Sequence, residues 1–297
     1  MVEPEFARKN RRPTLRATVA SPKWLLRKLG KYSLLYSLLS ALALFTLFPF
    51  LWTLATSLSA SGNVFRFPPQ FWPQEAVLTH YRAIFNQLPM MRYIWNSLWL
   101  CFWGISGTLL VSSLAAYPLA CMHFPGRKFI FYSIVATLIL PNEAGLIVNF
   151  ITISRLGLAN SYAGVILPSL ASVIGIFLMR QAYLGVPREL LDAAKVDGAS
   201  ELRIYWQIML PLCAPALAAL GIFTFVGYWN SFIWPLIVLR DPDLYPLSVG
   251  LLYLRGIFAG NTRMVAAGTV LSMVPVIVVF VFAQRYFMRG LEGALKQ

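Results

Sequence analysis

The sequence predicts an all-α, polytopic membrane protein, and three observations carry the prediction. Of 297 residues, 58% are hydrophobic and 12% charged, and the mean hydropathy is +0.66, more apolar surface than one soluble core of this length can hide. The apolar residues fall in runs of about twenty or more, enough to cross roughly 30 Å of hydrocarbon at about 1.5 Å per helical residue. The runs are continuous rather than alternating, so helices, not barrel strands, must satisfy the backbone hydrogen bonds in lipid.

The elements follow in order. Residues 1–31 carry nine Lys or Arg (Arg8, Lys9, Arg11, Arg12, Arg16, Lys23, Arg27, Lys28 and Lys31) and too few apolar residues for a core, which predicts a basic, partly disordered arm. Six spans follow, at approximately 32–58, 95–121, 129–153, 162–183, 212–239 and 264–288. The first is too long for the core of a cleavable signal peptide. Six crossings put both termini on one side. With the arm inside, 18 of the 25 Lys and Arg lie on the inner side and seven on the outer, so the positive-inside rule predicts cytoplasmic N- and C-termini.

The net charge of +14 is explained by these flanking residues. No interleaved aromatic and basic platform points to nucleic acid. Cys101, Cys121 and Cys213 lie within or at the ends of apolar runs without metal-ligand spacing and read as packed thiols. The outer segment 59–93 holds Phe65, Phe67, Phe71, Trp72, Tyr81 and Phe85 among prolines. It fits either an interfacial aromatic belt or a docking surface for an external partner. No internal repeat or matching pair of broken helices is visible, which weighs against a secondary transporter.

The long inner loop, residues 185–211, is the segment with the most information. Pro187 suits the start of a helix, Glu189 and Asp192 sit near its positive end, and Gly198 can take the left-handed conformation that stops it. Ser200 can cap a second helix running to Leu210, with Pro211 ending it. Leu202, Tyr205, Trp206 and Met209 form one apolar stripe on that helix. Such an elbow can plug into another protein or lie on the lipid surface as an amphipathic connector.

At Asp192-Ala193-Ala194-Lys195-Val196-Asp197-Gly198-Ala199 and Ile208-Met209-Leu210-Pro211 the chain resembles the permease subunits of binding-protein-dependent ATP-binding-cassette importers. Their signature is Glu-Ala-Ala, Gly and Ile-x-Leu-Pro, and Asp192 replaces the usual Glu. Further matches resemble the carbohydrate branch that includes the maltose-type second permease. They are Trp95-Asn96-Ser97-Leu98, Phe124-Pro125-Gly126-Arg127, the segment from Leu156 to Tyr162, Ile166-Leu167-Pro168, the segment from Trp229 to Leu236, and the tail from Gly290 to Lys296.

The resemblance implies a type I importer transmembrane domain over residues 32–288, preceded by the arm and followed by a cytoplasmic tail at 289–297. Its implied partners are a second permease subunit, as hetero- or homodimer, two cytoplasmic ATPases that hold ATP and Mg, an external solute-binding protein, and membrane lipid. It implies a sugar or sugar-like solute and a bacterial inner-membrane location. The chain has no Gly-x-x-x-x-Gly-Lys-Ser/Thr loop for phosphates, and His80 and His123 are far apart, so no cofactor, metal or catalytic residue is expected in it.

The ATPase-coupling element is expected to comprise Glu189, Asp192, Ala193, Ala194, Asp197, Gly198, Ala199, Tyr205, Trp206, Ile208, Leu210 and Pro211. Trp206 would seat in the ATPase, and the tail resembles family tails that reach the same interface. Polar groups within spans mark candidate solute contacts: Tyr228, Trp229 and Asn230, mid-way along the fifth span, and Glu143 in the third. An ion-coupled secondary transporter acting without an ATPase is the alternative, but it would need several intramembrane acids, and only Glu143 is placed within a span.

Overall fold

The computed structural model describes residues 22–60, 72–73, 75–257 and 260–294, with the side chains of 22–29, 142–143 and 284–294 outside the description. The described residues are helical almost throughout, apart from turns and a single antiparallel bridge between Ser59 and Ala76. Two units are distinguished, Met1–Leu51 and Trp52–Gln297.

The first unit is described from Pro22 onward, as the greater part of helix α1 (Pro22–Leu58). Proline suits a first helical turn because its missing N–H has no intrahelical acceptor there. Residues 22–31 are therefore helical, whereas the sequence predicted a partly disordered arm; residues 1–21 lie outside the described residues. From Gly30 to Leu51 the side chains are exposed all round, and an apolar surface of that kind requires lipid or protein around it.

The second unit continues with α2 (Thr79–Gln87), α3 (Met90–Cys121), α4 (Arg127–Ala136), α5 (Leu146–Arg155), α6 (Tyr162–Ile166), α7 (Val173–Leu184) and α8 (Arg188–Val196). Then come α9 (Glu201–Ile204), a π-helical turn Tyr205–Met209, α10 (Leu210–Leu212), α11 (Ala214–Trp229), α12 (Ile233–Val238), α13 (Leu247–Ile257) and α14 (Thr262–Ala294). Helix α3 is the central post. It packs on α7 and α11, and α11 packs on α14.

Two apolar clusters lie along α3. Met90, Tyr93, Leu100 and Cys101 join one with Trp229, Val238 and Val249. Ala116, Tyr117, Leu119 and Ala120 join the other with Met179, Tyr183, Leu191, Tyr205 and Met209. Between them α3 buries Thr108, Ser112 and Ser113. Cys101 and Cys213 are buried free thiols and Cys121 is half-buried.

Three helices are long and apolar enough to cross a membrane: Gly30–Leu58, Met90–Cys121 and Thr262–Ala283. Two bent pairs also qualify, Tyr162–Ser169 with Val173–Leu184 at 48° and Glu201–Leu212 with Ala214–Trp229 at 76°, giving three to five spans among the described residues.

Prolines explain the departures from six unbroken helices. The predicted third span is divided between α4 and α5. Pro141 cannot donate to the Thr137 carbonyl, which instead accepts from Leu140 N at 3.1 Å in a tight turn. The predicted fifth span is divided between α11 and α12, because Pro235 likewise leaves the Ser231 carbonyl without a helical donor; Ser248 Oγ donates to it at 2.6 Å.

Candidate functional site

The elbow is built as its residue types require. Pro187 precedes α8 and Glu189 lies in its first turn. At the other end Ala199 N–H donates to Ala194 O and Gly198 N–H to Lys195 O, both at 3.0 Å, with Gly198 at φ +77°. These two bonds are a Schellman closure, in which the left-handed residue reverses the chain and satisfies two terminal carbonyls. The spacing from Ala194 to Gly198 and Ala199 is thus the spacing of one helix end, and Ala194 and Ala199 both belong to the apolar cluster beneath it.

The second arm begins at Ser200, whose hydroxyl accepts from Arg203 N at 3.4 Å. The expectation that Pro211 ends this helix at Leu210 is corrected. The turn Tyr205–Met209 widens to π geometry, which accommodates the proline ring, and the helix runs to Leu212 before the bend at Cys213. The single apolar stripe is corrected too. Tyr205 and Met209 are buried, whereas Leu202 and Trp206 are exposed, at 63% and 48%. The wider turn sends these side chains to two faces, one packed in the protein's own core and one free.

The other candidate coupling residues divide likewise. Glu189, Asp192, Ala193, Asp197, Gly198 and Pro211 are exposed, Ala199, Ile208 and Leu210 are half-buried, and Ala194 is buried. Leu191 and Ala194 seat α8 on the cluster of α3 and α7. Three residues not singled out from the sequence complete the elbow. Lys195 Nζ lies 2.8 Å from Glu201 Oε1, and Tyr117 Oη donates to Glu201 Oε2 at 2.7 Å. The bonds from Lys195 and then Tyr117 hold the Glu201 carboxyl below its ordinary range, and the bond to Glu201 raises Lys195. A carboxylate six residues after a lysine, across a glycine turn, was the available signal for the pair. Nothing local in the sequence marks Tyr117.

The candidate solute residues do not form one surface. Trp229 is buried, donates from Nε1 to Ser272 O at 3.0 Å and stacks on Phe225. Tyr228 is half-buried and donates to Ile166 O at 3.4 Å. Asn230 is exposed at the break after α11 and not mid-span. Glu143 belongs to the turn Asn142–Gly145 between α4 and α5, and its side chain lies outside the described residues.

At the opposite end of α3, Arg92 pairs with Asp243. Asn96 Nδ2 donates to the carbonyls of Asp243 and Tyr245 at 2.8 and 3.0 Å, and Ser97 Oγ accepts from Leu247 N at 2.8 Å. Asn160, at φ +58°, accepts through Oδ1 from the backbone N–H groups of Arg240 and Asp241. The motif residues Asn96, Ser97 and Asn160 therefore fasten the irregular chain after α12.

Residues 107–293 match the family described as the binding-protein-dependent transport system inner membrane component. The chain belongs to this family. The permease is 39% identical over 229 residues to the arabinooligosaccharides transport system permease protein AraQ of Halalkalibacterium halodurans, covering 76% of this chain and 82% of that one. It is 33% identical over 261 residues to the lactose transport system permease protein LacG of Rhizobium radiobacter, covering 88% and 95%.

A crystal structure of a bacterial ABC transporter involved in the import of the acidic polysaccharide alginate contains a chain that superposes with a TM-score of 0.77 at 26% identity, covering 88% of this chain and 97% of that one. A second alginate transporter structure, in complex with a pentasaccharide-bound periplasmic protein, shares the fold at a TM-score of 0.57 and 19% identity. The permease is accordingly a non-catalytic, inner-membrane subunit of an ATP-binding-cassette importer. It works with a second permease subunit, separate ATPases that hold ATP and Mg, and a solute-binding protein.

Proposed function

We propose that this permease forms half of the translocation path for a sugar or sugar-like solute and takes its power stroke through the elbow 185–211. The solute class rests on relatives named for arabinooligosaccharide and lactose transport. The coupling role rests on one observation above all: the Schellman-closed elbow presents Leu202 and Trp206 outward while anchoring Tyr205 and Met209 inward, a free apolar face on a fixed base.

In this reading both termini are cytoplasmic, as the Lys and Arg distribution favours. Helices α4 and α5 together make the sixth crossing, and the domains run 1–31, 32–288 and 289–297. Glu189, Asp192, Ala193, Asp197, Gly198 and Pro211 line the ATPase side of the elbow with Trp206. Ala194, Ala199, Tyr205, Ile208 and Leu210 support it from beneath. Of the solute candidates, Tyr228, Asn230 and Glu143 remain proposed contacts, and Trp229 acts as the packing wall behind them. The tail 289–297 reaches the same ATPase interface.

Trp206→Cys paired with single cysteines on the partner ATPase tests the coupling face. Cross-linking that changes with nucleotide is expected. Trp206→Cys labelled only from outside sealed, right-side-out vesicles would overturn the assignment. Uptake of labelled oligosaccharides by the reconstituted importer tests the solute class, which fails if the cognate binding protein takes no sugar.

A further inference from the structure

The elbow meets α3 through a two-rung ladder that the signature residues do not include. On the first rung, Tyr117 Oη donates to Glu201 Oε2 at 2.7 Å. On the second, Tyr205 bonds through its hydroxyl to Ser113 Oγ, also at 2.7 Å, and the same Ser113 hydroxyl donates to Leu110 O at 3.1 Å. Glu201 and Tyr205 are four residues apart, as are Ser113 and Tyr117. Each pair therefore lies on one helix face, one turn apart, and the rungs are parallel.

The rings reinforce the ladder. Tyr117 meets Tyr205 edge-on at 5.4 Å and Tyr183 at 6.1 Å. The remaining oxygen of Glu201 holds Lys195 of α8 at 2.8 Å, so a single carboxylate ties both arms of the elbow to α3.

Apolar contacts alone would let the elbow slide or rotate on the cluster, because dispersion has little directional preference. Two hydrogen bonds a turn apart remove that freedom. The first is charge-assisted and hence among the stronger kinds. Tyr205 is buried at 1% exposure and Ser113 at 2%, so the second rung has no water to replace it.

We propose that this ladder is the strut through which displacement of the elbow moves α3, with Glu201 as the positioning residue that locks α8, α9 and α3 into one lever. The inference rests on the coupling reading above and adds to it the route of the movement inside this chain. Glu201 touches neither nucleotide nor solute. It acts by holding other groups, and its loss leaves an elbow that docks but slips.

The experiment uses the complete importer with its ATPases and binding protein in lipid vesicles, measuring assembly, ATP hydrolysis and solute uptake together. Tyr117→Phe removes one hydroxyl and keeps the ring. Glu201→Gln removes the charge, and Ser113→Ala removes the second rung. Each is expected to assemble and to hydrolyse ATP, with uptake per ATP lowered roughly threefold or more.

The double variant Tyr117→Phe with Glu201→Gln should be no worse than the poorer single, because both remove the same rung. Unchanged uptake per ATP in Tyr117→Phe and Glu201→Gln overturns the strut. So does loss of assembly in Tyr117→Phe, which would make the bond structural only. The coupling reading itself is judged separately, by the Trp206→Cys cross-link in the otherwise unaltered permease.

Discussion

Replacing Gly198 isolates the backbone of the elbow from its side chains. Gly198 stands at φ +77°, and a Cβ built there meets no atom within 4 Å, so a substitution suffers no clash and the whole effect is conformational. A left-handed L-residue costs about 1–2 kcal/mol. Asparagine tolerates the region better, and a β-branched residue is worst. If the chain escapes the strain by opening the turn, the bonds from Ala199 to Ala194 and from Gly198 to Lys195 are lost, at about 0.5–1.5 kcal/mol each.

The population of opened elbow should thus rise roughly five- to thirtyfold for Gly198→Ala, taking tenfold as about 1.4 kcal/mol. It should rise less for Gly198→Asn and more for Gly198→Val. Hydrogen exchange of the peptide containing Gly198 and Ala199, measured by mass spectrometry on the permease in lipid nanodiscs, reads this population directly. Equal protection in the Asn and Val variants would refute the argument, because no other property of the open site distinguishes them in that order.

Three further outcomes are expected. A Cβ at Gly104 would lie 2.4 Å from Cζ of Tyr228, so Gly104→Ala should cost about 1–3 kcal/mol. Adding Tyr228→Ala should restore part of it, and strictly additive melting shifts would exclude the contact. Asn96→Leu strips donors from the carbonyls of Asp243 and Tyr245, at about 1–3 kcal/mol for each left unsatisfied. Proteolysis near residues 240–247 should accelerate, and an unchanged cleavage rate would count against the fastening role.

The Lys195–Glu201 pair predicts a pH window. Glu201 is depressed, so its contribution is present above about pH 4.3, the ordinary glutamate value, and is lost as pH falls through its lower folded value. Lys195 is raised, so its contribution is present below about pH 10.4 and is lost as pH rises through its higher folded value. The melting difference between the unaltered permease and Glu201→Gln should stay flat from about pH 6 to about pH 9 and shrink in acid. Both side chains are more than 40% exposed, so the pair itself is worth no more than about 1 kcal/mol. A difference that grew on acidification would contradict the pairing.

The sequence alone determined the solvent, the class of secondary structure and the form of the elbow. Each follows from residues near one another in the chain: apolar runs that only lipid can surround, prolines and glycines that fix local dihedrals, and a Ser200 cap. It also carried the family, through the order of motifs from Trp95 to Lys296. Tertiary structure decided which face of each helix is spent inside the protein. Tyr205 and Trp206 are neighbours of similar chemistry, yet one packs on Tyr117 and the other stays exposed. Tyr228, Trp229 and Asn230 likewise point their roles in three directions. Helical periodicity states which residues share a stripe, but the burial of a stripe depends on what α3, more than 80 residues away in sequence, places against it, and a π-helical turn or a proline break shifts that register by a residue without a local signature.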